Sequence, residues 1–560
     1  MQLNSLRKLG PRGSWITVAA VLAVVLAVAA AIVQGSRPGD PANPGAGNGG
    51  AQETAPSPNF SRPEGASQFR PAYHLTPKKE WMNDPQRPFL LDGVWHYYYL
   101  YNADHPEGNG TEWFHVTSTD LVHWKDEGVA IEKFKNGLGD IETGSAVVDT
   151  DNTAGFGKDA VIAVMTQQDK GVQRQSLFYS TDKGFSFKPY DRNPVMDNPG
   201  AEHWRDPKII RDDANGQWVM ALAEGEKIGF YTSRDLKGWR YASSFERRGL
   251  GILECPDLFQ LDVDGDPAKR TWVLAASANG SEEGRTTGVA YWTGNWDGTT
   301  FTPADDGHQW LDAGSDFYAA VTWDDPRLPE NQRMAFRHAI GWMNNWTYAR
   351  NLPTTDWQGG ADSIVRDIRL KTVQGRPSLV SSPTKALSVL EGAAETVTGR
   401  RVTEDGAGEL PVPDSGAYRL DVTLEKGPDD AASEALLKLG SGAAEKGPAD
   451  FATVGYDFDD GTAFVTRSAV VPGVESLGRV FTDRRSAASP LRGGSAPGRG
   501  IVELTVFVDY SSVEVFVNGG EQTLTSLVFP REGGHTVTAA TAGGSATLKS
   551  FKYTPLAAAG

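Results

Sequence analysis

The chain is poor in the groups that most metal and redox chemistry requires. It has a single cysteine, Cys255, in 560 residues, so no intramolecular disulfide and no CxxC zinc or redox motif can form. Nine histidines are present but none stands in an HExxH pattern. The expectation is therefore no cofactor and no metal, with an oxygen-liganded Ca²⁺ left open. Basic residues are outnumbered, 54 Lys and Arg against 71 Asp and Glu, for a formal charge of -17. Nucleic acids are held by phosphate neutralisation, so that balance argues against a nucleic-acid partner and favours a neutral substrate.

Long apolar runs are also scarce, with one exception. Arg7, Lys8 and Arg12 precede an uncharged, mostly apolar run of 19 residues from Trp15 to Val33. This has the form of an export signal, and it is just long enough to be retained as an anchor. Residues 1–34 read as that signal or anchor and 35–68, rich in Gly, Pro, Ala and Ser, as a flexible linker. The remainder is expected to be extracellular, secreted or held at the membrane by residues 15–33. Oligomeric state is not legible.

What the sequence has is a loose repeat. Strand-like runs recur at WHYYYLYN (95–102), AVIAVMTQ (160–167), QWVMALAEG (217–225), TWVLAASAN (271–279) and MAFRHAIGW (334–342). Each follows another strand and a turn rich in Asp, Asn, Gly or Pro, so each unit opens on a β-hairpin. Further strands follow in four of the units, at 117–124, 179–187, 231–239 and 291–298. Several short strands per unit point to propeller blades, the alternative being an irregular sandwich. From about 380 the texture changes to apolar/polar alternation, as in YRLDVTLEKG (418–427), which reads as half-buried strands. The expected architecture is all-β: a five-bladed propeller over 69–375, then a β-sandwich over 380–556.

Stacked, the five units open on NDP (83–85), ETGS (142–145), RDP (205–207), ECPD (254–257) and SDFY (315–318), each with an acid. Inner strands of a propeller line its axis, so Asp84, Asp206 and Glu254 are expected to converge there. Two carboxyl groups facing one bond can cleave a glycoside, one attacking the anomeric carbon and the other protonating the leaving oxygen. Asn83 beside Asp84 offers the amide that keeps a nucleophile ionised. Indole faces pack on sugars, so Trp81, Trp113 and Trp204 are candidate sugar contacts, with Gln86 and Arg205 beside them.

WMNDP (81–85), HWRDPK (203–208) and LECPDLF (253–259) resemble the three acidic motifs of glycoside hydrolase family 32, the fructan hydrolases and invertases. The resemblance spans roughly residues 70–555, because SSVEVFVNGG (511–520) is similar to that family's C-terminal sandwich. It implies a retaining hydrolase of β-fructofuranosides acting on a fructan. Asp84 would be the nucleophile, Glu254 the acid/base and Asp206 the transition-state stabiliser that binds fructose hydroxyls. Levan is the preferred substrate, with levanbiose release among the outcomes. The alternatives are an inulin- or sucrose-type fructofuranosidase, fructosyl transfer to a sugar, and a non-catalytic fructan-binding surface protein. The chain departs from the family after NDP, where Gln86-Arg87-Pro88 replaces Asn-Gly, and in YYLYN (98–102), where Leu100 replaces Gln. Those changes imply that Arg87 or Leu100 shapes a pocket for a second sugar. Val365-Arg366 likewise replaces Pro-Arg after the fifth unit.

Overall fold

The computed structural model describes residues 66–106, 110–427, 430, 432–441, 450–494, 499–533 and 535–559. The expected signal or anchor and nearly all of the linker therefore lie outside the described residues. Among the described residues no helix is long and apolar enough to cross a membrane.

Five antiparallel sheets follow one another along the chain, as the repeat predicts. Their inner strands are Glu80–Leu91, Asp140–Asp149, Arg205–Asp212, Leu253–Asp262 and Tyr318–Trp323. These are the five blades of a propeller. Between successive blades lie separate apolar layers. Leu100, Trp113, Ile141 and Met165 fill the space between blades 1 and 2, and Val219, Phe230, Leu258 and Trp292 that between blades 3 and 4. Trp95, Tyr97, Trp323 and Ile340 join blade 5 back to blade 1. A blade is thus buried on both faces, which is why its strands read as continuous apolar runs instead of alternating.

The ring is closed by a short strand, Trp357–Gln358, that pairs in parallel with Glu80 and Trp81 at the start of blade 1. Gly359 makes this approach possible. Its φ is +91°, and a Cβ there would stand 1.9 Å from the Met82 carbonyl oxygen.

All five inner strands carry an irregularity at the same place, close to their first residues. The register slips between Asn83 and Pro85, Ile141 and Gly144, Arg205 and Lys208, Glu254 and Asp257, and Tyr318 and Val321. Each slip places one extra residue on the inner strand. Such bulges kink a strand and re-aim a side chain. Proline cannot donate to the ladder and is confined to such places, which is the physical content of the NDP, RDP and ECP triplets: Pro85, Pro207 and Pro256 all stand in the slipped stretches.

The sandwich packs a seven-stranded sheet against a five-stranded one. Here alternation is clear, with inward residues Tyr418, Leu420, Val422 and Leu424 on the strand Tyr418–Lys426. The propeller meets it through buried charges. Arg366, 1% exposed, donates to Asp312 at 2.9 Å and to Glu514 at 3.2 Å. His74 lies between Asp509 and Glu514, 2.9 Å from each. Asp316, the acid of the fifth unit, also belongs to this seam: its Oδ2 accepts from Arg467 at 2.6 Å and from the Leu527 amide at 2.8 Å. The expectation that every unit opens with its acid on the inner strand fails there, because the fifth inner strand begins only at Tyr318.

Candidate active site

The bulges bring their acids together at one end of the axis. Asp84, the extra residue of blade 1, accepts the Thr143 hydroxyl on Oδ2 at 2.7 Å, while its Oδ1 is buried with no partner. The thiol of Cys255 stands 3.7 Å from Oδ2 of Asp84 and 3.7 Å from Oδ2 of Asp206. One sulfur therefore touches both carboxylates. Asp206 is held in a left-handed conformation (φ +64°), and its Oδ2 accepts the Cys255 amide at 2.9 Å. Glu254 accepts two guanidinium bonds from Arg205 on Oε1, at 3.0 and 2.8 Å, and the Tyr318 hydroxyl on Oε2 at 2.6 Å.

Burial and mutual repulsion set the charge of this group. Burial, with the nearby Glu254 charge, holds the Asp84 carboxyl above the usual range, and donation from Thr143 pulls it part of the way back. Burial pushes Asp206 up to about 7; Glu254 and Asp84 add to this and Arg205 opposes it. The Cys255 thiol is driven well above its ordinary value by burial and then by Asp206 and Asp84. It stays protonated and is no nucleophile.

A fourth carboxyl joins them. Glu142 is pushed well up, by burial first and then by Asp140, Asp206 and Asp84, and no hydrogen bond reaches its carboxyl among the described residues. ETGS (142–145) stands among the blade openings, and the equivalence of Glu142 to Asp84 and Asp206 is the one signal in the sequence that points to it.

Asn83 and Trp81 lie at the site as a linked pair, the indole N–H donating to the Asn83 side-chain oxygen at 2.8 Å. Trp81 itself is only 4% exposed, because Trp346 stacks over it at 6.2 Å and 23°. The open indole here is Trp346, 43% exposed. It follows the fifth repeat in the stretch NNW, which carries no periodic signal.

Four expectations need correction. Trp113 is fully buried in the layer between blades 1 and 2, with its N–H on the Glu142 carbonyl oxygen, and Trp204 is buried between blades 2 and 3. Neither offers a face to a sugar. Gln86 is also fully buried, with both ends of its amide engaged: Nε2 donates to the Asp84 carbonyl at 2.9 Å and Oε1 accepts the Gly144 amide at 2.8 Å. It ties blade 1 to blade 2. Arg87 points to the opposite end of the axis, where it donates to the Ile209 carbonyl and faces Asp324 at 3.8 Å, and Leu100 is inter-blade core.

Convergent carboxyls on a propeller axis, backed by a sandwich, define a glycoside hydrolase. Residues 74–383 match the model of the glycosyl hydrolases family 32 N-terminal domain and residues 387–555 that of the family 32 C-terminal domain. The chain belongs to glycoside hydrolase family 32. It is 43% identical over 490 residues to a levanbiose-producing levanase of Bacillus subtilis, covering 86% of this chain and 90% of that one. It is 47% identical over 390 residues to a levanbiose-producing levanase of Geobacillus stearothermophilus, covering 69% and 95%. Among solved structures, exo-inulinase from Aspergillus awamori superposes with a TM-score of 0.76 at 30% identity, over 88% of this chain and 99% of that one.

Proposed function

We propose that this protein is an exported fructan hydrolase that cleaves the β-2,6 linkages of levan with retention. The observation that carries this reading is the group of bulged acids, Asp84, Asp206 and Glu254, linked through Cys255 and Arg205. Asp84 attacks the anomeric carbon of the second fructosyl unit from the chain end while Glu254 gives its proton to the departing glycosidic oxygen. A covalent levanbiosyl ester forms and the shortened chain leaves. Glu254 then takes a proton from water, which attacks the same carbon and releases Asp84. The transition state is positive at a ketal carbon, so the surrounding carboxylates favour it. Asp206 accepts hydroxyls of the bound ring, with Asn83, Arg205 and the Trp81–Trp346 stack around it. The preference for levan over inulin rests on likeness to the two levanbiose-producing levanases. Export rests on Arg7, Lys8, Arg12 and the run from Trp15 to Val33.

The test is incubation with levan, inulin and sucrose, with chromatography of the earliest products. Release of levanbiose from levan, with slower action on inulin, is the expected result. Fructose alone would make the enzyme a simple exohydrolase, and no product from any of the three would overturn the proposal.

A further inference from the structure

Behind the nucleophile, on the side of blade 5, lies a carboxyl that no sequence motif marks. Asp362 sits on the two-residue strand Ala361–Asp362, paired with Trp342 of the strand Arg337–Met343, and it is completely buried. Its Oδ2 accepts the Tyr97 hydroxyl at 2.5 Å, whereas its Oδ1 is buried and has no hydrogen-bond partner. Asp84 shows the same division: Oδ2 is bonded by Thr143 and Oδ1 is buried without a partner. The two groups share surroundings: the strand Ala361–Asp362 packs against Glu80–Leu91, which carries Asp84, and the Tyr97 hydroxyl on Asp362 also feels the Asp84 charge.

Two buried carboxyls each lacking a donor are costly unless something satisfies them. No Lys or Arg pairs with Asp362 among the described residues. Burial, opposed by the Tyr97 bond and increased by Asp84, pushes Asp362 up to about 8, so at neutral pH it carries a proton. Tyr97 already donates to Oδ2, which leaves that proton on Oδ1. One atom then needs an acceptor and the other, on Asp84, needs a donor.

We infer that Asp362 is a positioning residue for the nucleophile: its protonated Oδ1 donates to Oδ1 of Asp84, directly or through one buried water. The bond holds the attacking carboxylate ionised and aimed. The other groups facing this region are Tyr99, whose hydroxyl is also buried without a partner, the His74 imidazole from the segment before blade 1, and Glu254 across the axis from Asp84. As pH rises through about 8, the donor is lost and a second negative charge appears beside the nucleophile, so turnover falls.

The inference rests on Asp84 as nucleophile, and its test separates the two. Asp362→Asn keeps an N–H donor but cannot titrate, and Asp362→Leu removes the donor. In the wild type, kcat on levan should decline on the alkaline side near pH 8. Asp362→Asn should retain kcat at neutral pH within about threefold and lose that decline, whereas Asp362→Leu should lose about tenfold or more in kcat with KM little changed. Infrared spectra of the wild type near neutral pH should contain the carbonyl stretch of a protonated carboxyl that is missing from Asp362→Asn. An unaltered alkaline limb in Asp362→Asn, or a wild type without that infrared band, would overturn the inference. A wild type that shows the band yet cleaves no fructan would overturn the functional reading instead.

Discussion

Arg205 holds Glu254 by one oxygen only: Nε and Nη2 both donate to Oε1, and Oε2 is left to the neutral Tyr318 hydroxyl. The proposed proton donor therefore has one face fixed by charge and the other shared with a group that can yield to substrate. A lysine cannot reproduce the paired bonds of a guanidinium. Arg205→Lys should lower kcat/KM on levan by about tenfold or more, with an unchanged circular dichroism spectrum; wild-type kinetics in this variant would deny the guanidinium any role in the reaction.

The repulsion among the acids gives a pH prediction. The Glu254 charge raises both Asp84 and Asp206. In Glu254→Gln that push is gone, both carboxyls ionise more readily, and Asp84 remains charged to lower pH. Hydrolysis of an activated aryl fructoside, which needs no proton from the enzyme, should survive in this variant. Its acid limb should lie at lower pH than that of the wild type, and a shift to higher pH would contradict the coupling.

Two tryptophans make opposite predictions. Trp346 is 43% exposed and Trp113 not at all. Trp346→Ala should raise KM for levan by about tenfold with little change in melting temperature. Trp113→Ala empties part of the layer between blades 1 and 2 and should cost about 3–5 kcal/mol in unfolding free energy. Equal thermal losses in both variants would show that Trp346 is core in solution.

The seam between propeller and sandwich carries its own pH dependence. Burial lowers His74, but the hydrogen bonds it donates to Asp509 and Glu514 outweigh it and raise the imidazole to about 9. A group raised in the folded state stabilises it fully below its unfolded value, near 6.5, and the contribution is lost as pH rises through about 9. The amount at stake is about 3 kcal/mol. Urea midpoints of the wild type should fall across that window, and those of His74→Gln should start lower and lack the drop.

The three acids were legible because a bulge leaves a sequence trace: a proline at the residue where the ladder slips, repeated from blade to blade. The direction of the tryptophans was not legible, because blade strands are buried on both faces and alternation carries no information about them. Trp113 and Trp204 look as available as Trp81 until the layers on either side are known. Gln86 misled for a related reason. A polar residue next to a catalytic acid suggests substrate, but here it satisfies the backbone of the neighbouring blade at Gly144. Asp316 shares the blade-opening position with the other acids yet serves Arg467 of the sandwich, a contact between residues far apart in the chain that no local pattern encodes. Asp362 has no motif at all and is visible only as a buried carboxyl without a cation.

The strand that closes the ring, Trp357–Gln358, lies directly against the segment that carries Asp84. A nascent chain still short of residue 357 thus has the segment of its proposed nucleophile made but not yet latched, with one flank of the future cleft missing. Such a polypeptide should be inert during synthesis, becoming competent only when its late portion snaps back onto its beginning.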